Sequence, residues 1–406
     1  MVAARPRDLR AQWHEHPAAI DATQWDRLVA GLPGGTPFMR HGFLTAMVDS
    51  GSACADTGWQ PLFLTVHDHS TGQLVAACAT FAKSHSYGEY VFDWAWADAH
   101  DRAFKAAGAS YFPKLLGAVP FSPVPGPRLL VDPDASSDVQ QALRTTLLQA
   151  MSQQVERQDW SSAHLLFVSE PEAEAAQAQG WLTRHGVQFH WNNRQGEPYF
   201  DHEDFLASLH RDKRKKIHQE RRKVREAGVT FEVLEGDQIT EADWDFFHRC
   251  YTQTYWQHGQ RPYLSRAFWQ LASQSRPQDW VLFVASRAGE RMACALLAVD
   301  AELGLAYGRY WGALETVSCL HFEACYYQPM AWCIAKGYRR FEGGAQGEHK
   351  LARGLLGTPT QSVHWLAHPG FKQAVADFLH REDHQIQHYI DELDDRKPFK
   401  PLDAPG

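Results

Sequence analysis

At 406 residues, with 44% apolar and 22% charged side chains, the sequence has an ordinary globular composition and exceeds the usual size of a single core, so two domains are expected. The formal net charge of −8 argues against nucleic-acid binding by the molecule as a whole and predicts no DNA partner, while leaving room for a local basic patch. No uninterrupted apolar run is long enough to span a bilayer, so no integral membrane contact is expected. The seven cysteines show no CxxC spacing and read as reduced core residues of a cytoplasmic protein.

The opening segment "MVAARPRDLRAQWHEHP" has no apolar core of a signal peptide, and residues 1–36 read as an extension. Next, "PLFLTVHDHSTGQLVAACATFAKSHSYGEYVFDWAWADA" reads as strands joined by glycine-containing turns. The same pattern recurs in "WVLFVASRAGERMACALLAVDAELGLAYGRYWGALE". Tyr90-x-Phe92-x-Trp94 lies 217 positions before Tyr307-x-Arg309-x-Trp311, and Gly72 lies 217 before Gly289. Each triplet is followed by an aromatic-proline element expected to be helical, "YFPKLL" and "YYQPMAW", and then by a glycine-containing segment. Four matches in one order indicate a duplicated α/β unit, over residues 37–195 and 229–385.

Between the copies the pattern predicts an amphipathic helix near 139–157, a strand "HLLFVS", an Ala/Glu-rich helix and "GVQFHWNN". Residues 196–228 then read as a long, basic connecting helix with a narrow stripe of Leu206, Leu209, Ile217 and Val224, closed by Gly228. Residues 386–406 read as a loosely held tail. Within the helix, Arg211 to Arg225 carries nine Lys or Arg against Asp212 and Glu220. Lys213, Arg214, Lys215, Lys216, Arg221 and Arg222 are the candidates for contact with phosphate or tRNA, against the simpler reading of a solvated charged face.

The order of elements and the stretches "GEYVFDWAWADA", "PFSPVPGPRLL", "KRKKIHQERR", "YGRYWG", "HFEACYYQ" and "GGAQGEHKLARG" resemble the FemAB/FemX-like bacterial group of predicted N-acyltransferases, connected with peptidoglycan biosynthesis, within the GNAT superfamily. The resemblance covers about residues 37–382. It implies an α/β (α+β) architecture of two GNAT-like acyltransferase folds with mixed sheets. It also implies an N-acyltransferase that moves an acyl or aminoacyl group to an amine of a cell-wall precursor, peptide or small metabolite. The alternative is a non-catalytic GNAT-like module that binds an acylated or nucleotide-linked ligand. The donor is either aminoacyl-tRNA or acyl-CoA, with no permanently bound cofactor. The glycine-rich pyrophosphate turn of acetyl-CoA enzymes is missing from "GALETVSCLHFE", which favours the aminoacyl-tRNA side. The oligomeric state stays open.

By that resemblance the strand "LAYGRYWG" edges the acyl slot, with Tyr307, Arg309 and Trp311 on one face by period-two alternation. Arg309 there either binds an anion or sits in a buried ion pair. After the core helix, "FEGGAQGEHKLARG" gathers Glu342, Gln346, Glu348, His349 and Lys350 around Gly343, Gly344 and Gly347. Glycines keep the wall low for an approaching substrate. A Glu–His–Lys group offers a base, an acid and an anion clamp, so Glu342, His349 and Tyr307 are the catalytic candidates. His321 and Glu323 at the start of the preceding helix, and Asp93 and Trp94 in the first copy beside Glu89, complete the candidate substrate contacts. His364 and His368 lie on a strand-like stretch ending at Pro369, so no metal site is expected.

Overall fold

The computed structural model describes residues 8–31, 34, 37–344 and 347–400. The chain divides into two compact units, Met1–Gly186 with Thr360–Ile386, and Val187–Pro359 with Gln387–Gly406.

In the first unit, strands Leu9–His14, Phe63–Asp68, Leu74–Cys78 and Leu130–Val131 form an antiparallel sheet. Its hairpin turns at Gly72, where φ is 71°. Trp59–Pro61, Thr80–Lys83 and Lys114–Gly117 pair antiparallel. The last of these then runs parallel to Ser162–Leu165. Helix Ser137–Arg157 joins that parallel pair and buries Leu143, Leu147, Leu148, Met151 and Val155. The Ala/Glu-rich segment forms helix Glu170–Ala178.

In the second unit the four antiparallel strands lie in one sheet with the parallel pair. Strands Val229–Glu235, Trp280–Arg287, Glu290–Asp300 and Leu305–Ala313 form an antiparallel meander. Leu305–Tyr307 then pairs parallel with Arg340–Glu342, which itself pairs antiparallel with 190–192. The hairpin at Ala288-Gly289 puts both turn residues at positive φ, 52° and 84°, the geometry that matches the twist of two tightly joined strands. A helix runs from Leu320, widens into a π turn over Glu323–Tyr327, and ends with Gln328–Ala335. It buries Ala324, Tyr327, Met330 and Cys333 against Phe283, Leu297 and Phe341. On the opposite face, helix Glu241–Gln257 lies directly on strand Leu305–Ala313. A Cβ at Gly312 would meet the Cys250 carbonyl oxygen at 2.1 Å. Gly312→Ala is therefore expected to cost about 1–3 kcal/mol through overpacking, read as a lower denaturant midpoint. An unchanged midpoint would mean the helix does not press on this strand.

The structure corrects four expectations. Tyr90, Phe92 and Trp94 form no strand: Tyr90 and Phe92 take φ of 64° and 57°, which an extended strand of L-residues does not accommodate, and Trp94 opens helix Trp94–Phe104. The triplet at 90–94 thus has no structural counterpart in Tyr307-x-Arg309-x-Trp311. "YFPKLL" contributes strand Lys114–Gly117 rather than a helix, because so short an apolar run carries no period that separates the two. The long charged helix is two helices, His202–Ser208 and Arg211–Glu226. Leu209 between them is extended and bridges Phe399. Finally, residues 387–395 continue helix Pro369–Asp395, and Lys400 N donates to Ser208 O at 2.9 Å.

Candidate active site

The second unit carries the cleft. Strands Leu305–Ala313 and Arg340–Glu342 are paired only from Leu305/Arg340 to Tyr307/Glu342. Beyond that point Gly343 and Gly344 turn to pair with Phe189 instead (Gly343 N to Phe189 O 2.9 Å, Phe189 N to Gly344 O 3.2 Å). The gap opens into a cavity of about 160 Å³ lined by Gly308, Arg309, Trp311, Cys325, Tyr326 and Gly343. Glycine is required here: a Cβ on Gly343 would lie 2.4 Å from a Leu355 methyl, and Gly344 holds φ at 82°.

A β-bulge between Leu296 and Leu297 displaces Arg309 from the ladder. Strict alternation therefore fails, because a bulge adds one residue and re-aims the side chains after it. Ala306 packs into the core beneath the π-turn helix, whereas Tyr310, four residues on, packs with Phe247, Tyr251 and Trp269. Tyr307 is fully buried and does not line the cavity, while Arg309 and Trp311 do. The shared face of Tyr307, Arg309 and Trp311 is thus not formed. Burial holds the Tyr307 phenol far above its usual range, and the Glu342 carboxylate adds to the shift.

Arg309 sits in the buried ion pair that was one of its two expected roles. Its guanidinium donates to Glu342 Oε2 at 3.0 Å and to the Glu342 carbonyl at 3.1 Å. Glu342 is completely buried, with Arg340 Nη2 3.0 Å from its other oxygen. Two guanidiniums hold this carboxylate, which makes Glu342 an anchor for Arg309. Lys350, on the turn Glu348–Arg353, is buried, and its ammonium donates to Gly344 O at 3.3 Å. A Cβ placed on Gly344 would lie 3.8 Å from Arg309 Nη1 and 3.9 Å from Lys350 Nζ. The two cations therefore converge over one bare backbone position. Burial, with the Arg309 charge beside it, lowers the Lys350 pKa to about 8.

His349 is exposed and shares a hydrogen bond of 3.2 Å between its Nε2 and the Tyr326 hydroxyl. Partial desolvation, then Arg353 and Lys350, lower its pKa. His321 packs edge-on against Trp311 at 5.4 Å. Desolvation, then His349 and Arg353, lower its pKa. Gly347, with φ of 99°, leads into the turn that carries His349. Gln346 lies outside the described residues.

The other candidates are held elsewhere. Glu348 points to Arg396 at 3.2 Å, and Glu323 pairs with Arg221 at 3.2 Å outside the cavity lining. Asp93 and Trp94 belong to the first unit. There Asp93 accepts from Tyr111 at 2.7 Å and Lys114 at 2.5 Å. Burial pulls its pKa up, but Lys114 prevails and holds it well below the usual carboxylate range. On the basic helix, Lys215, Lys216 and Arg222 are exposed. Lys213 pairs with Asp212 at 2.9 Å, Arg222 faces Glu226 at 3.7 Å, and Arg214 reaches the Ala207 carbonyl at 3.4 Å.

Sequence reasoning missed the group that fixes the turn. Arg353 donates to both oxygens of Glu220 at 2.9 and 2.8 Å, to the Tyr327 hydroxyl at 2.9 Å and, through Nη1, to the His349 carbonyl at 2.6 Å. The available signal was Glu220 itself: spaced three from Ile217 and four from Val224, it sits on the buried stripe of a basic helix, where an acid implies a buried cation.

Residues 16–401 match the FemAB-like family of peptidoglycan biosynthesis/recognition proteins. The chain belongs to that family. The mixed α/β architecture of this FemAB-like chain is the one that the sequence resemblance implied. Among solved structures it is similar to the C-terminal DUF2156 domain of a putative lysylphosphatidylglycerol synthetase from Agrobacterium fabrum, at 11% identity and TM-score 0.53, covering 89% of this chain and 96% of that one. It is similar as well to L-PGS from Bacillus licheniformis, at 10% identity and TM-score 0.53, covering 90% and 98%. A tandem GNAT protein from the clavulanic acid biosynthesis pathway aligns at 10% identity and TM-score 0.43 over 89% and 99%. No curated protein sequence matches the FemAB-like chain. None of its described helices is long and apolar enough to cross a membrane.

Proposed function

We propose that this FemAB-like chain transfers an acyl or aminoacyl group to an amine of a cell-wall precursor, peptide or small metabolite in the cleft beside Gly344. The observation that carries the reading is the convergence of Arg309 and Lys350 on Gly344 where the two parallel strands part. Two cations over a bare backbone suit a substrate phosphate or carboxylate. Beyond Tyr307 the strand edge has lost its parallel partner, so its backbone N–H groups can stabilise the oxyanion formed when the amine attacks the donor carbonyl. His349, exposed and with a lowered pKa, takes one proton from the substrate ammonium and so frees the amine lone pair that attacks the donor carbonyl. The bond to the leaving oxygen or sulfur then breaks, and the leaving group takes up the second proton shed by the nitrogen.

For the donor, we favour aminoacyl-tRNA over acetyl-CoA. The segment between Gly312 and Leu320 holds no glycine, and the exposed Lys215, Lys216 and Arg222 offer charge for a polyanion. Isothermal calorimetry with acetyl-CoA is expected to show weak or no binding. A micromolar dissociation constant would overturn the donor preference and leave the cleft assignment standing.

A further inference from the structure

A second cavity, of about 120 Å³, shares no lining residue with the cleft. It is lined by Arg221, Val224, Arg225, Phe231, Glu323 and Gln328. Glu323 opens the π turn of the core helix, a local widening that recurs at functional sites. Its side chain is 5% exposed. One oxygen, Oε1, accepts from Arg221 Nε at 3.2 Å and from Gln328 Nε2 at 2.7 Å. The other, Oε2, is buried without a hydrogen-bond partner among the described residues. At the rim Arg225 is exposed, and it forms no ion pair among the described residues.

A desolvated carboxylate oxygen with no donor is costly, and a charged N–H donor relieves it best. Arg221 neutralises Glu323 through Oε1, which leaves Oε2 in need of a donor and the Arg225 charge in need of an anion. A ligand that brings an ammonium and an anion a short, fixed distance apart satisfies both. Val224 and Phe231 leave an apolar wall for a small aliphatic group.

We propose that this cavity binds a small free α-amino acid, its ammonium on Glu323 Oε2 and its carboxylate toward Arg225. The inference is independent of the transfer reaction assigned to the cleft. Calorimetry at pH 7 should show saturable binding of glycine, alanine or valine with a dissociation constant of about 1 mM or tighter. Propionate and ethylamine, each lacking one of the two charges, should not bind. Glu323→Gln and Arg225→Ala should each weaken binding about tenfold, the loss expected for one charge-assisted hydrogen bond. Arg225 is exposed, so Arg225→Ala decides the matter should Glu323→Gln fail to fold. No saturable heat with any of the three amino acids, equal binding of propionate, or unaltered affinity in Arg225→Ala would overturn the proposal.

Discussion

Glu342→Ala is expected to lower the unfolding free energy by about 3–5 kcal/mol, because it removes one partner from a buried ion pair and leaves the others uncompensated. The Arg309 side chain is 4% exposed and Glu342 is fully covered. Arg309 would lose its only acidic partner among the described residues, and Arg340 would lose a carboxylate 3.0 Å away. Glu342→Gln keeps the shape and one acceptor, so it should cost clearly less. The order of the two variants in denaturant midpoint separates an anchor from a general base. A free catalytic carboxylate would show little stability loss in either variant.

Lys350→Met should do the reverse, raising stability at pH 7 while abolishing anion binding in the cleft. In the folded chain Lys350 loses its proton near pH 8, whereas unfolded lysine keeps it until about 10.5. Between those values the unfolded state binds more protons, so stability rises with pH. Below pH 8 the buried charge costs on the order of 3 kcal/mol, the free-energy equivalent of that depression. Methionine has similar length and no charge, and it removes the cost. The measurable signature is a higher denaturant midpoint at pH 7 and loss of the Lys350 share of the rise between pH 8 and 10.5. A variant less stable than the parent at pH 7 would make Lys350 a structural cation. Stabilisation with loss of function is the usual mark of a strained site.

Much of the second unit was legible because its signals are local. The turn at Ala288-Gly289, the apolar run of the following strand and the glycines at 343 and 344 each act over a few residues. They also put Arg309 and Gly343 in the cavity lining. The bulge between Leu296 and Leu297 was not legible, since one extra residue in a ladder leaves no mark in composition, and it set Arg309 and Trp311 apart from the face of Tyr307. The Glu220–Arg353–Tyr327 group joins positions more than a hundred residues apart in sequence, where spacing says nothing. In the first unit, aromatic alternation at Tyr90, Phe92 and Trp94 imitated a strand, and only the positive φ angles of Tyr90 and Phe92 exclude it.

The central claim, transfer in the Arg309–Lys350 cleft, is tested most directly by one assay run on the parent protein and on Lys350→Met. Labelled aminoacyl-tRNA and acyl-CoA are offered as donors with amine-bearing cell-wall precursors as acceptors, and label reaching the amine is measured per folded molecule. The account predicts transfer by the parent and a drop of about a hundredfold or more in the variant, the scale of losing one preorganised electrostatic contact. Equal transfer by the two proteins, or no label on any amine from the parent, would contradict it.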